Sequence, residues 1–354
     1  MTKYIPFLKA KQNEIKAMSE LALSVRGAIC PFFDFPKKNG GYSKVEFFES
    51  VKRINQRLVK NIGKLSEFYF DNFDIEEPKL LGKDSYDVLM QEFSSMNVIP
   101  VLGLDRTIQH NQSVATLKSS GKIKSKIVAL RVCPEDFESF DLIEDDIEDN
   151  LRPIFDLFDK IDLVLDCRVC AQAKVSEITP LIQQFSQKFC QKFVVRRVIL
   201  TGSSIPASIR DILKVESEHI VDRRELEVFA SVKAVHSHAR LIFGDYTTVS
   251  PHYSDVDMPP EMLQNVMTAK LTYTIPGGHY FIRGKGLKTN GPQQYFRMAK
   301  TLCEKPFFRG DYYSNGDAYF ASKSLSQGSN CTPNAVIKPS VVAHISYMVL
   351  NAGL

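Results

Sequence analysis

Nearly every strand-like run in this sequence ends on a charged or hydroxyl-bearing side chain. Lys9 and Lys11 follow Tyr4–Lys9 (YIPFLK), Asp34 closes Ala28–Asp34 (AICPFFD), and Asp71 and Asp74 stand at the end of Glu67–Phe73 (EFYFDNF). Asp105 and Arg106 follow Val98–Leu104, Arg131 closes Ile127–Val132, and Asp166 and Arg168 flank the end of Ile161–Cys167. Ser203 and Ser204 follow Val194–Thr201, and Asp245 and Tyr246 close Leu241–Tyr246. Carboxylates from different strands can hold Mg²⁺ or Mn²⁺ through oxygen ligands. Arginines beside them can clamp phosphate oxygens, and a carboxylate of raised pKa can serve as general acid or base. The same charges can instead pair with one another as a salt-bridge network closing one end of the fold.

Side chains alternate between the two faces of a strand. Asp34 shares its face with Ala28 and Cys30, Asp105 with Gly103, and Arg131 with Ala129. Asp166 and Arg168 share one parity with Val164, and Asp245 shares its face with Phe243. Small residues suit a crowded interior, so Asp34, Asp105, Arg131, Asp166, Arg168 and Asp245 are expected in one pocket, with Lys9 at its edge.

Other motifs are sparser. Cys167 and Cys170 have redox or metal spacing without a second such pair. His236 and His238 have ligand-pair spacing but precede a strand, at the end opposite the pocket. Ser203-Ser204 suits either a phosphate-contacting loop or a cap. In the tail, Arg283-Gly284, Arg309-Gly310-Asp311 and Ser314–Asp317 lie among Tyr280, Phe281, Tyr312, Tyr313, Tyr319 and Phe320. Guanidinium groups beside aromatic faces suit a stacked ring, or an ordinary packed lid.

Eight such runs alternate with helical stretches. Helices are expected at Asn13–Val25, after the N-cap Ser43 with its capping-box partner Glu46, and at Ser85–Met96, Thr107–Lys118, Asp141–Phe158, Val175–Phe189, Arg223–Ser231 and Pro259–Ala269. Near-continuous apolar strands covered by crossover helices predict a closed (β/α)8 barrel. An open doubly wound sheet would show a glycine-rich turn after its first strand, and KAKQNE has no glycine. The barrel is expected over residues 1–250. Residues 251–354 form an extension on its rim or side, with a hairpin at Lys270–Ile275 and His279–Gly284 and an apolar helix at Val341–Leu350.

Composition sets outer limits. With 45 Lys+Arg against 41 Asp+Glu, the net charge of +4 gives no nucleic-acid footprint. No apolar run reaches the ~18–20 residues of a membrane span. The start, MTKYIPFLKAKQNE, lacks a secretory h-region. Seven scattered cysteines suit reduced thiols in a cytoplasm.

Several stretches together resemble one family. They are the opening YIPFLKAKQNE, FGDYTT at 243–248, IRG at 282–284, QYFRMA at 294–299, SNGDAYF at 314–320, and His344 in AHISYMV. In this order, over nearly the whole chain, they resemble the Beta protein family of phage, phage-satellite and prophage loci. The resemblance implies a place in an anti-phage or toxin-neutralising gene cluster, beside a killer protein and a small regulator. It brings no established catalytic residues. Asp245, Arg283, Asp317 and His344 lie within the resembling stretches and join the candidate site.

Two functions follow. In one, the barrel binds a phosphorylated small molecule or nucleotide: Asp34, Asp105, Asp166 and Asp245 hold a metal or act as acid and base, and Lys9, Arg131, Arg168, Tyr246, Arg283, Asp317 and His344 contact the ligand. In the other, the barrel is catalytically inactive and neutralises or gates a toxic protein partner, through the tail from Lys270 onward.

Overall fold

A computed structural model describes residues 1–63, 66–75, 84–252 and 267–353. Eight parallel strands close into a barrel: β1 (Tyr4–Lys9), β2 (Phe32–Asp34), β3 (Phe68–Asp71), β4 (Val98–Leu102), β5 (Ile127–Val132), β6 (Lys160–Val169), β7 (Val195–Ser203) and β9 (Leu241–Asp245). The ring closes where β1 pairs with β9, Tyr4 opposite Phe243. The fold is therefore a (β/α)8 barrel with a C-terminal extension. No helix among the described residues is long and apolar enough to cross a membrane.

Local chemistry starts the helices as expected. Ser43 Oγ accepts the amide of Glu46 at 3.4 Å while Glu46 Oε2 accepts the amide of Ser43 at 3.0 Å, so the capping box opens the helix Lys44–Asn61. The first helical stretch breaks into Gln12–Glu20 and Leu23–Arg26, and the one after β5 runs from Phe140 to Phe155 through a π turn at Ile147–Leu151. The helix expected at Pro259–Ala269 falls mostly outside the described residues, and Thr268 and Ala269 already belong to a strand.

That strand, β10 (Thr268–Ile275), forms the predicted hairpin with β11 (Gly278–Gly286). A polar strand missed in the sequence, β8 (Ser217–Asp222), pairs antiparallel with β11 and makes a three-stranded sheet. It lies between β7 and the helix Arg224–Val235, so a barrel crossover lends its edge to the extension. The last helix, Ile337–Leu350, packs on β1 and on the helix Gln12–Glu20. It places Val341, Val342, Ile345 and Met348 in the layer between barrel and helices. It thus fills the position of the eighth barrel helix, after the chain has built the extension.

The barrel interior is a separate core. Ile5, Phe7, Phe32, Tyr69, Ile99, Val101, Ala129, Val164, Ile199, Ile242 and Tyr246 face one another inside the ring. Charged side chains sit at both ends of this apolar plug.

Candidate functional site

The carboxyl end of the barrel is organised by one fully buried guanidinium. Arg131 follows Ala129 on the inward face of β5, and its guanidinium carbon lies 5.8 and 5.1 Å from the ring centroids of Phe7 and Phe32. Nη1 donates to Asp34 at 2.7 Å and to Asp71 at 2.9 Å; Nε and Nη2 donate to Asp166 at 3.0 and 2.7 Å; Nη2 also donates to the Tyr246 hydroxyl at 2.7 Å. Tyr246 in turn donates to Asp166 at 2.5 Å. Five strands therefore meet on one side chain.

A second tier surrounds it. Arg106 bridges Asp71 and Asp105 at 2.8 and 2.7 Å. Arg168 donates to the Tyr246 hydroxyl and to Asp74, both at 3.1 Å, and Lys9 reaches Asp74 at 2.7 Å. The ring of Phe73 lies between the guanidinium carbons of Arg106, Arg131 and Arg168, at 4.6, 4.4 and 4.3 Å from its centroid. Such contacts favour cations shielded from water. Arg168 holds a left-handed backbone, φ +49°, an uncommon conformation for a residue with a Cβ.

Electrostatics follow the pairing. Burial alone would lower the Arg131 pKa, but Asp34, Tyr246, Asp166 and Asp71 hold it well above its ordinary value. Burial pushes Asp166 and Asp71 up, yet the guanidinium groups of Arg131 with Arg168, and of Arg106 with Arg131, bring both below the usual carboxylate range. In Asp34 burial wins and the pKa rises; its Oδ2 has no hydrogen-bond partner. The carboxylates that would face a divalent cation instead face guanidinium N–H groups. Among the described residues no group of three His, Cys, Asp or Glu side chains could hold a metal ion, so this donor set does not fit Mg²⁺ or Mn²⁺.

The amino end is plugged likewise. Asp162 accepts from Tyr69 at 2.5 Å, from Arg196 Nε at 2.9 Å and from Arg197 at 3.1 Å, and Glu67 pairs with both arginines.

The structure brings together Lys9, Asp34, Arg131, Asp166, Arg168 and Tyr246. It adds Asp71, Asp74 and Arg106, strand-end charges that lie outside the pocket expected from strand parity. Asp71 shares the inward parity of Tyr69, a signal that could have found it. Asp105 is only at the rim: β4 ends at Leu102, alternation lapses in the following turn, and its side chain is 42% exposed.

Asp245 is a correction. Gly244 and Tyr246 occupy the inward parity of β9, so Asp245 points outward with Phe243 into the layer between barrel and helices. There Tyr4 donates to it at 2.5 Å, His344 Nε2 lies 2.9 Å away, and Arg223 bonds its second oxygen. Thr274 Oγ1 meets His344 Nδ1 at 2.7 Å, and Arg223 continues to Glu225, which accepts from Ser204. Ser204 also accepts the amide of Arg224. His344 thus belongs to this buried cluster and lies outside the mouth.

Arg283 and Asp317 are elsewhere too. Arg283 donates to Thr268 Oγ1 and the carbonyl of Leu213. Asp317 accepts from Ser314 and Tyr273 and forms an ion pair with Arg309 at 3.3 Å, at the start of the helix Asn315–Ser324. Arg309 lies over the rings of Tyr273, Tyr313 and Tyr347, so a guanidinium of the chain itself covers those aromatic faces. Cys167 and Cys170 are buried free thiols, and burial pushes Cys170 up to about 12. His236 bonds the carbonyl of Ala239 in the turn before β9.

A stretch of 97 residues is similar to the DNA repair protein rhp41 of Schizosaccharomyces pombe, at 30% identity over 27% of this chain. The match spans 15% of that protein's length. Far broader is the match to the family model described as Beta protein, which covers residues 4–350. The chain, barrel and extension together, belongs to the Beta protein family.

Proposed function

We propose that this protein works in a phage- or prophage-borne anti-phage locus of the toxin-neutralising type, and that it neutralises or gates a toxic partner by protein–protein contact. The observation that carries the contact reading is Arg131. Its donors are spent on Asp34, Asp71, Asp166 and Tyr246, so the barrel axis already holds its own counter-ion. The tail from Lys270 onward offers the outer surface, with Tyr312 98% and Leu325 69% exposed. The killer protein encoded in the same locus is the natural partner for the test. Its co-expression with Arg168→Ala should still permit growth, whereas Tyr312→Ala combined with Leu325→Ser should abolish rescue without lowering the melting temperature.

A second reading keeps a phosphorylated small molecule or nucleotide at the mouth. It is favoured by the left-handed backbone of Arg168, since strained residues gather at functional sites. Loss of rescue in folded Arg168→Ala, with the tail variant still protective, would select it.

A further inference from the structure

Beside the barrel axis lies a second concavity, which shares Lys9 with the mouth network. A cavity of about 220 Å³ opens between the carboxyl ends of β1, β7 and β9 and the three-stranded sheet. Lys11 and Glu14 line one side, Thr248 and Ser250 the loop after β9, Lys270 the sheet side, and Phe281 part of an apolar wall. Glu14 is 4% exposed and its Oε2 has no hydrogen-bond partner. A buried carboxylate oxygen without a donor is costly, and it is repaid if a ligand supplies the missing O–H.

The remaining chemistry narrows the ligand. The ammonium groups of Lys9, Lys11 and Lys270 and the hydroxyls of Thr248, Ser250 and Thr272 on the wall suit an oxyanion. Loops after the seventh and eighth strands of such barrels often hold phosphate. The volume is below the ~300–1,000 Å³ of sites for drug-sized ligands, so the guest is smaller than a nucleotide. We propose that this cavity binds a small phosphorylated sugar or polyol, its phosphate facing Lys11 and Lys270 and one hydroxyl donating to the Glu14 carboxyl group. The site is independent of the partner-contact reading.

Titration calorimetry on the full chain tests it, with ribose 5-phosphate, glycerol 3-phosphate, glucose 6-phosphate and inorganic phosphate as probes. At least one ester should bind more tightly than inorganic phosphate. Lys270→Gln, at an exposed position, should weaken that ester about tenfold or more. Glu14→Leu should erase the preference for the ester over inorganic phosphate, with a melting curve confirming that it folds. Binding by none of the four, affinity unchanged in Lys270→Gln, or a preference intact in folded Glu14→Leu would each overturn the assignment.

Discussion

Tyr4 and His344 are 340 positions apart in the chain, and they meet at 3.0 Å on the same oxygen of Asp245. The first barrel strand, the last barrel strand and the last helix are thereby tied at one buried point. Thr274 extends the tie to the hairpin. The extension is welded to the barrel through polar groups, so losing one of them should be felt across both.

Asp245→Asn tests that weld. The change leaves Arg223 buried with Glu225 as its remaining carboxylate and weakens the contacts to Tyr4, His344 and the Thr247 amide. Breaking a buried ion pair costs about 3–5 kcal/mol. Urea unfolding should show a loss of that order.

Arg131→Lys should fail at the mouth despite its conserved charge. An ammonium group cannot span Asp34, Asp71 and Asp166 as the planar guanidinium does. A loss of about 3–5 kcal/mol is expected by chemical denaturation. Tyr246→Phe, which removes a hydroxyl shared by Arg131, Arg168 and Asp166, should cost about 1–3 kcal/mol in the same assay.

Glu14 makes stability depend on pH in an unusual direction. Burial raises its pKa from 4.5 to about 7, although Lys11 and Lys9 oppose the rise and Asp34 adds to it; Lys270 and His252 line the same cavity. The folded state therefore holds the proton more tightly than the unfolded state. This contribution is present below pH ~4.5 and is lost as pH rises through about 7. At about 1.4 kcal/mol per pH unit the loss is on the order of 3 kcal/mol. Glu14→Gln should melt higher than wild type at pH 8 and nearly level with it at pH 5. His110, held down to about 4 by burial, has the opposite sign: it favours the fold at neutral pH and costs stability under acid. Comparing the two proteins across pH cancels that background.

Gly316→Ala should loosen the last helix. A Cβ there would stand 2.3 Å from the carbonyl of Pro339 and 2.6 Å from the amide of Ala343, both main-chain atoms that cannot swing aside. Overpacking of this kind costs about 1–3 kcal/mol, read as a lower melting temperature.

Much was legible in the residues because it is local. Apolar runs bounded by helical periods announce the eight barrel strands, Ser43 and Glu46 announce a helix start, and parity along β2, β5 and β6 puts Asp34, Arg131 and Asp166 inside. Each of these depends on neighbours within a few positions. Where a strand is buried on both faces, apolar alternation carries no sign of inside or outside, and for that reason sequence parity alone puts Asp245 on the wrong face. Tertiary structure alone decided that Arg106 reaches inward to Asp71, that polar β8 leaves its crossover for the distant hairpin, and that the helix at the chain's end completes the barrel. It also buried Glu14, an ordinary first-turn carboxylate in sequence, against a cavity wall built largely by segments far along the chain, from Ile205 to Ile337. Those contacts depend on which surfaces meet after folding, and no short window of sequence contains both partners.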